Sequence, residues 1–231
     1  MVFEVIDTMS GPVYSIDGKT VSEEEYAKQE ILYNATLPEA ELVQYQPTEQ
    51  EAMDAVETLI QFIGADMKDP NCVDTPKRVM KAWRDVWGSG YTQNSKDFLT
   101  VFPNEGYDEM IVVKNIPINS TCSHHLAPIH GFAHIAIIPG KDLIGLSKYA
   151  RIADMFARRL QLQERLTTQI ADEIEDLLAP IGVAVYIEAA HMCMSTRGVK
   201  IHDSVTVTTA LKGAFRNNPD TRAEFMSICR S

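Results

Sequence analysis

Between Leu162 and Leu178 an apolar residue returns at every fourth position, as Leu162, Leu166, Ile170, Ile174 and Leu178. The spacing fits the turn of an α-helix and predicts a helix over 163–178 with one buried stripe. The preceding segment, 147–159, reads as a second helix. On either side the period changes: 110–116 and 132–138 read as strands before the helices, and 182–194 and 204–211 after them. Two hairpin-like strand pairs around a helical pair predict an α+β chain, an antiparallel sheet with helices on one face.

Helices also precede this unit. Ala52, Val56, Leu59, Ile60 and Ile63 recur at helical spacing just after Pro47. A further helix is expected at Thr75-Pro76, Thr as cap and Pro in the first turn, with Val79, Ala82, Trp83 and Val86 on its apolar face. The first 46 residues differ and read as an N-terminal extension. There Val2–Val5 and Pro12–Ser15 suit short paired strands, Asp17-Gly18 suits a turn, and Ser22 with Glu25 forms a capping box. The expected division is thus 1–46 as extension and 47–231 as the main domain, helical over 47–105 and sheet-bearing over 106–231.

A formal net charge of -11 argues against a general nucleic-acid-binding role, which needs a basic footprint. An anionic substrate would need a local cluster of Lys and Arg. The N-terminus carries Glu4 and Asp7 rather than a basic start and apolar core, so no signal peptide is read. No apolar run approaches the roughly 20 residues of a membrane span. Four cysteines are too few for a disulfide scaffold in a chain of 231 residues, which makes a cytoplasmic protein with reduced thiols the expectation.

Two of those cysteines lie in the densest ligand clusters, Cys122-Ser-His-His125 and His191-Met-Cys193. Thiolate and imidazole together suit zinc. In the strand read over 182–194, the odd residues from Val183 to His191 and Cys193 would share one face, apolar until its last members. Cys122 and His125 can reach one ion only if the backbone turns or bulges between them. Spacing leaves either His124 or His125 as the ligand. Three protein ligands would leave a fourth position open, the catalytic arrangement, in which a bound water has a pKa of about 7. The bland alternative is a pair of buried thiols beside ordinarily hydrogen-bonded histidines.

Ile144-Gly-Leu-Ser147-Lys148-Tyr-Ala-Arg151 opens a helix, with Ser147 as the expected cap and free backbone amides favouring phosphate. Lys148 and Arg151 add positive charge there. Arg197 follows Cys193 by four residues, and Arg78 follows the Thr75-Pro76 helix start. Gln163-Glu164 begins the long helix. A carboxylate can take two parallel hydrogen bonds from a guanine's ring N–H and amine, although a glutamate in a first turn is also a simple dipole partner.

Together DTPKRV (74–79), TCSHHLAPIHG (121–131), LIGLSKYARI (143–152), RRLQLQERLTTQI (158–170), IEAAHMCMSTRG (187–198) and TRAEF (221–225) resemble the zinc-dependent GTP cyclohydrolase I family, over roughly residues 47–228. The resemblance implies Cys122, His125 and Cys193 as zinc ligands and His124 and His191 as acid–base histidines. It implies Gln163 and Glu164 at the guanine, with Glu164 the main anchor. Ser147, Lys148, Arg151 and Arg197 would line the ribose and triphosphate, and Arg78 would reach a neighbouring subunit's phosphates. It further implies the tunnelling fold, ββααββ with a four-stranded antiparallel sheet, and a homodecamer of two stacked pentamers with active sites shared at subunit boundaries. Ser123 departs from the pattern, which usually has Glu between the Cys and the histidine pair. That removes a charge but no ligand.

The implied reaction adds water at C8 of GTP, opens the imidazole ring, releases formate and closes a pterin ring, giving 7,8-dihydroneopterin triphosphate. The rival readings are a related tunnelling-fold enzyme acting on a pterin or deazapurine, and a zinc-stabilised regulatory subunit without catalysis.

Overall fold

The computed structural model describes residues 3–8, 11–28 and 46–230, and the chain divides into two compact units, 1–51 and 52–231. In the first unit, β1 (Phe3–Thr8), β2 (Gly11–Ile16) and β3 (Lys19–Val21) form an antiparallel sheet. Val2, the expected start of β1, lies outside the described residues. Asp17 and Gly18 have φ of 48° and 76°, a two-residue turn of the kind that matches the twist of paired strands. Ser22 Oγ accepts from the Glu25 N–H at 3.1 Å and opens a helical stretch over 23–28.

The helix α1 (Glu49–Phe62) opens at a reciprocal cap. Glu51 N–H donates to Thr48 Oγ1 at 3.3 Å, and Glu51 Oε2 accepts from the Thr48 N–H at 2.8 Å. The next helix, α2 (Thr75–Ala82), is capped one residue earlier than expected, at Asp74, which leaves Thr75 in the first turn. Past Ala82 the chain widens into a π-helical turn at Trp83–Trp87, closed by the Gly88 N–H on Trp83 O at 2.7 Å.

The remainder is mixed α and β, built on antiparallel pairing. β5 (Ile111–Cys122) and β6 (Pro128–Ile138) form the first hairpin; β9 (Gly182–His191) and β10 (Thr206–Gly213) form the second. Here β4 (Val101–Pro103) pairs with β7 (Asp142–Ile144), and β8 (Leu160–Gln161) lies parallel to β5. The sheet order is β10-β9-β6-β5-β8. Between the hairpins lie α3 (Leu146–Ala157) and α4 (Gln163–Leu178).

The four-residue stripe does what its spacing demands. Leu166, Ile170, Ile174 and Leu178 are buried with Ile135, Ile137, Val183, Val185 and Ile187 of the sheet. Each such side chain contributes about 1.5–3 kcal/mol of apolar burial. Leu162 only half enters, because it is the cap residue and not part of the helix. The alternate sheet residues Ala136, Ala184 and Tyr186 face the other way. They are not left bare: Phe215 and Phe225 cover them, ring centroids 5.6 Å apart, Phe225 projecting from α5 (Pro219–Arg230). Helices therefore lie on both faces of the sheet, not on one. Among the described residues no helix is long and apolar enough to cross a membrane.

Candidate metal centre and active site

β5 ends at Cys122 and β6 begins at Pro128, so the segment between them must reverse the chain. Cys122 closes this turn: its N–H donates to Ala127 O at 2.8 Å, and its carbonyl accepts from the Leu126 N–H at 2.9 Å. Leu126 adopts a left-handed φ of 53°, a conformation that costs a non-glycine residue about 1–2 kcal/mol. The turn brings His125 back over Cys122, as their three-residue spacing requires. The short β8 pins the same turn: Cys122 pairs with Gln161, and the Ser123 N–H donates to Gln161 O at 3.0 Å. Gln161 is itself buried, its side chain donating to Phe156 O at 2.8 Å and Gln169 Oε1 at 2.9 Å.

The second cluster arrives along β9, whose last residue, His191, pairs with Ile129 of β6. Cys193 does not continue that strand, contrary to the alternation read from 182–194. The chain curls into a one-turn helix, Met192–Ser195, closed by the Thr196 N–H and Oγ1 on Met192 O at 3.0 and 2.6 Å. This helical turn, not strand alternation, presents Cys193 to Cys122.

The ligand atoms of Cys122, His125 and Cys193 all lie within 4.8 Å of one another. Cys122 Sγ is 4.0 Å from His125 Nδ1. His124 stands beside this group, its ring centroid 6.1 Å from that of His125. Zinc–ligand bonds of about 2.0–2.3 Å at tetrahedral angles put ligand atoms about 3.5 Å apart. Small side-chain adjustments would therefore close this Cys, His, Cys set on a metal ion, and the donor types suit one. Burial pushes the Cys193 thiol up, and Cys122 pushes it the same way, while Arg197 opposes. A divalent cation reverses that balance and takes cysteines as thiolates.

Arg197 Nη1 lies 2.5 Å from His125 Nε2. His191 Nε2 lies 2.7 Å from Gln163 Oε1. Burial holds His191 below the usual imidazole range, and the Glu164 carboxylate pulls the other way. Glu164 is exposed in the first turn of α4, whereas Gln163, beside it, is only 2% exposed. The Gln163 amide donates toward Ile187 O, Thr206 O and Thr208 Oγ1. Sequence reasoning missed these partners: two are backbone carbonyls, which residue type does not signal, and only Thr208 acts through its side chain.

The basic residues stand differently. The cap of α3 is Gly145 (φ -58°, ψ 138°), and Ser147 is the second helical residue, so the expected cap is displaced. Gly145 already has the extended backbone that a cap needs, and its carbonyl accepts from the Lys148 N–H at 2.8 Å. Arg151 lines a cavity of about 370 Å³ with Gln93, Phe98, Ala150 and Asp154. Arg78 ion-pairs with Asp74 at 3.1 Å on the surface. Among the described residues, no hydrogen bond or ion pair ties Ser147, Lys148, Arg151 or Arg78 to the cysteine–histidine group.

Residues 52–230 match the family model described as GTP cyclohydrolase I. GTP cyclohydrolase 1 of Sinorhizobium fredii is 46% identical over 186 residues, 80% of this chain and 90% of its own. That of Brucella anthropi is 44% identical over 191 residues, 82% and 89% of the two chains. That of Deinococcus radiodurans is 51% identical over 167 residues, 71% and 76%. Among solved structures, an archaeosine synthase QueF-Like in the apo form overlaps 48% of this chain and 97% of its own. Its identity is 14% and its TM-score 0.38, a likeness too loose to argue a shared fold. With the family model spanning most of the second unit, and relatives matched along most of both lengths, the chain belongs to the GTP cyclohydrolase I family.

Proposed function

We propose that the chain converts GTP to 7,8-dihydroneopterin triphosphate with release of formate, the entry step to pterins of the folate type. The observation that carries this reading is the convergence of Cys122, His125 and Cys193 beside His191 and Arg197. Its support from outside is the name GTP cyclohydrolase 1 on relatives 44–51% identical to it.

Cys122, His125 and Cys193 hold zinc, which when bound supplies a Lewis acid and a water of lowered pKa. His124 and His191 move protons at the imidazole carbon and nitrogens of the base as the ring opens. Glu164 anchors the guanine edge, where its exposed carboxylate can take two parallel N–H bonds. Arg197, Ser147, Lys148 and Arg151 hold the ribose and triphosphate. That remote binding fixes the reacting carbon in place.

Ser147, Lys148 and Arg151 reach the metal centre of a second copy, and Arg78 serves a neighbour's phosphates. The assembly is a closed homo-oligomer, a decamer by family resemblance, built from ββααββ units of the tunnelling fold. Closure also covers the open sheet edges. Residues 1–46 form a separate N-terminal extension to the domain 47–231, and the protein works in the cytoplasm. The test is formate release: the purified protein should release formate from GTP and not from ATP. Equal release from both, or none from GTP, overturns the reading.

A further inference from the structure

We infer that Gln163 acts on His191 and not on the base: it is a positioning residue that fixes which nitrogen of the imidazole carries the hydrogen. The inference rests on the GTP cyclohydrolase reading above and deepens it. Gln163 opens α4 and is 2% exposed. Its Nε2 meets three acceptors, Ile187 O at 3.2 Å, Thr206 O at 2.9 Å and Thr208 Oγ1 at 3.1 Å. A flipped amide would set its oxygen against two backbone carbonyls, so those neighbours fix its orientation. Oε1 is thereby turned to His191 Nε2, 2.7 Å away. A carbonyl oxygen only accepts, so Nε2 carries the hydrogen, and Nδ1 keeps the lone pair with which the ring handles protons.

The shell behind Gln163 leaves little freedom. Thr167 Oγ1 donates to Gln163 O at 2.7 Å. Thr208 Oγ1 lies 2.6 Å from Thr167 Oγ1. Since the Thr167 hydroxyl is committed to the carbonyl, Thr208 donates to Thr167 and accepts from the Gln163 amide, whose two hydrogens are shared among three acceptors. Strand β10 thus reaches His191 through Gln163. A side chain buried in this way and bonded to backbone carbonyls has no donor left for guanine. Glu164, one residue on and exposed, is the group free to meet the base.

The decisive variant is Gln163→Met, similar in length and with only a weak thioether acceptor in place of the amide oxygen. We expect kcat to fall about 10–100-fold, the usual cost of removing an orienting partner, with KM for GTP and zinc content little changed. In a His191→Ala background the same substitution should cost nothing further. A raised KM with kcat intact, or a full effect that persists without His191, overturns the inference in favour of direct contact with the base. Should Gln163→Met fail to fold, Thr208→Val loosens the same amide. It should lower kcat by a smaller factor and likewise lose its effect in the His191→Ala background. The side-chain 15N shifts of His191 in the zinc-loaded protein provide a readout independent of turnover. They should report an Nε2–H ring that loses its fixed tautomer in Gln163→Met, and an Nδ1–H ring in the unmutated protein sinks the idea. Absence of formate release from the unmutated protein would instead defeat the activity reading and leave the tautomer measurement to decide this one.

Discussion

The cysteine–histidine centre and the basic start of α3 belong to the same compact unit, yet only the first finds its partners inside one chain. Cys122, His125 and Cys193 converge within 4.8 Å, and Arg197 and Gln163 close on the two histidines His125 and His191 at 2.5 and 2.7 Å. The side chains of Lys148 and Arg151 have no hydrogen-bonding or ion-pairing partner among the described residues, and that of Arg78 has only Asp74. A positive group held at a surface without a counter-charge is poorly explained by stability, since exposed pairs and lone charges contribute little to it. The contrast separates two tasks. The metal half is built by local turns, which one chain can close by itself. The side chains proposed to hold phosphate gain no such closure within the chain.

The largest expected effect breaks the metal half. Cys193→Ser should reduce zinc from about one per chain to near zero and lower turnover by more than about a hundredfold, since a ligand matters at least as much as its orienting partners. Elemental analysis showing undiminished zinc would contradict the assignment. Glu164→Ala should come next. Losing a desolvated charged contact costs about 2–5 kcal/mol, which lowers kcat/KM for GTP by roughly thirtyfold or more. Zinc content and the melting temperature should hold, because Glu164 lies off the buried stripe. A melting temperature that drops with activity would assign Glu164 to the fold instead.

What the sequence disclosed follows the same division. The stripe from Leu166 to Leu178 was legible because a helix buried on one side must repeat, and the structure places its bounds at Gln163 and Leu178 as read. The strands were legible only where they are apolar. β5 was expected to end at Ile116 but runs to Cys122. Its register shifts between Val113 and Ile116, with Asn115 at a left-handed φ of 56°. A bulge of that kind breaks the alternation on which a strand reading depends. The polar run Asn119, Ser120, Thr121 then carries no hydrophobic signal. Both α5, with Phe225 as its one buried residue, and β8, two residues long, were missed for want of any periodicity. At the site, the residue types were readable but the path was not. Cys193 reaches Cys122 through a helical turn of four residues, too short to leave a pattern.

The phosphate half can be tested apart from the metal half. The double variant Lys148→Ala/Arg151→Ala should raise KM for GTP by about tenfold, a charge-contact loss of about 1.4 kcal/mol. Stability should stay within about 0.5 kcal/mol, as for other surface changes away from packing. Zinc content should not move. Zinc loss in this variant would mean that the two halves are one, and the contrast would fail.

The smallest signal is the most specific, because it asks whether the phosphate half serves a different chain. Arg78 stands on α2, exposed, its side chain paired only with Asp74, while His124 stands beside His125 of the candidate metal centre. If both groups of a site came from one chain, a mixture of inactive Arg78→Ala and inactive His124→Ala subunits would contain no intact site, and mixing would recover nothing. If each site takes Arg78 from one chain and His124 from another, random assembly of equal amounts pairs the two intact residues at about a quarter of boundaries in a closed ring. Turnover should then recover to roughly a quarter of the unmutated level after dissociation and reassembly, and it should not recover when the two variants are assembled separately and mixed only afterwards. Light scattering on the unmutated protein supplies the control. A fully active species at the mass of one chain would place every contributing residue within a single subunit, and the basic side chains of α2 and α3 would need another explanation.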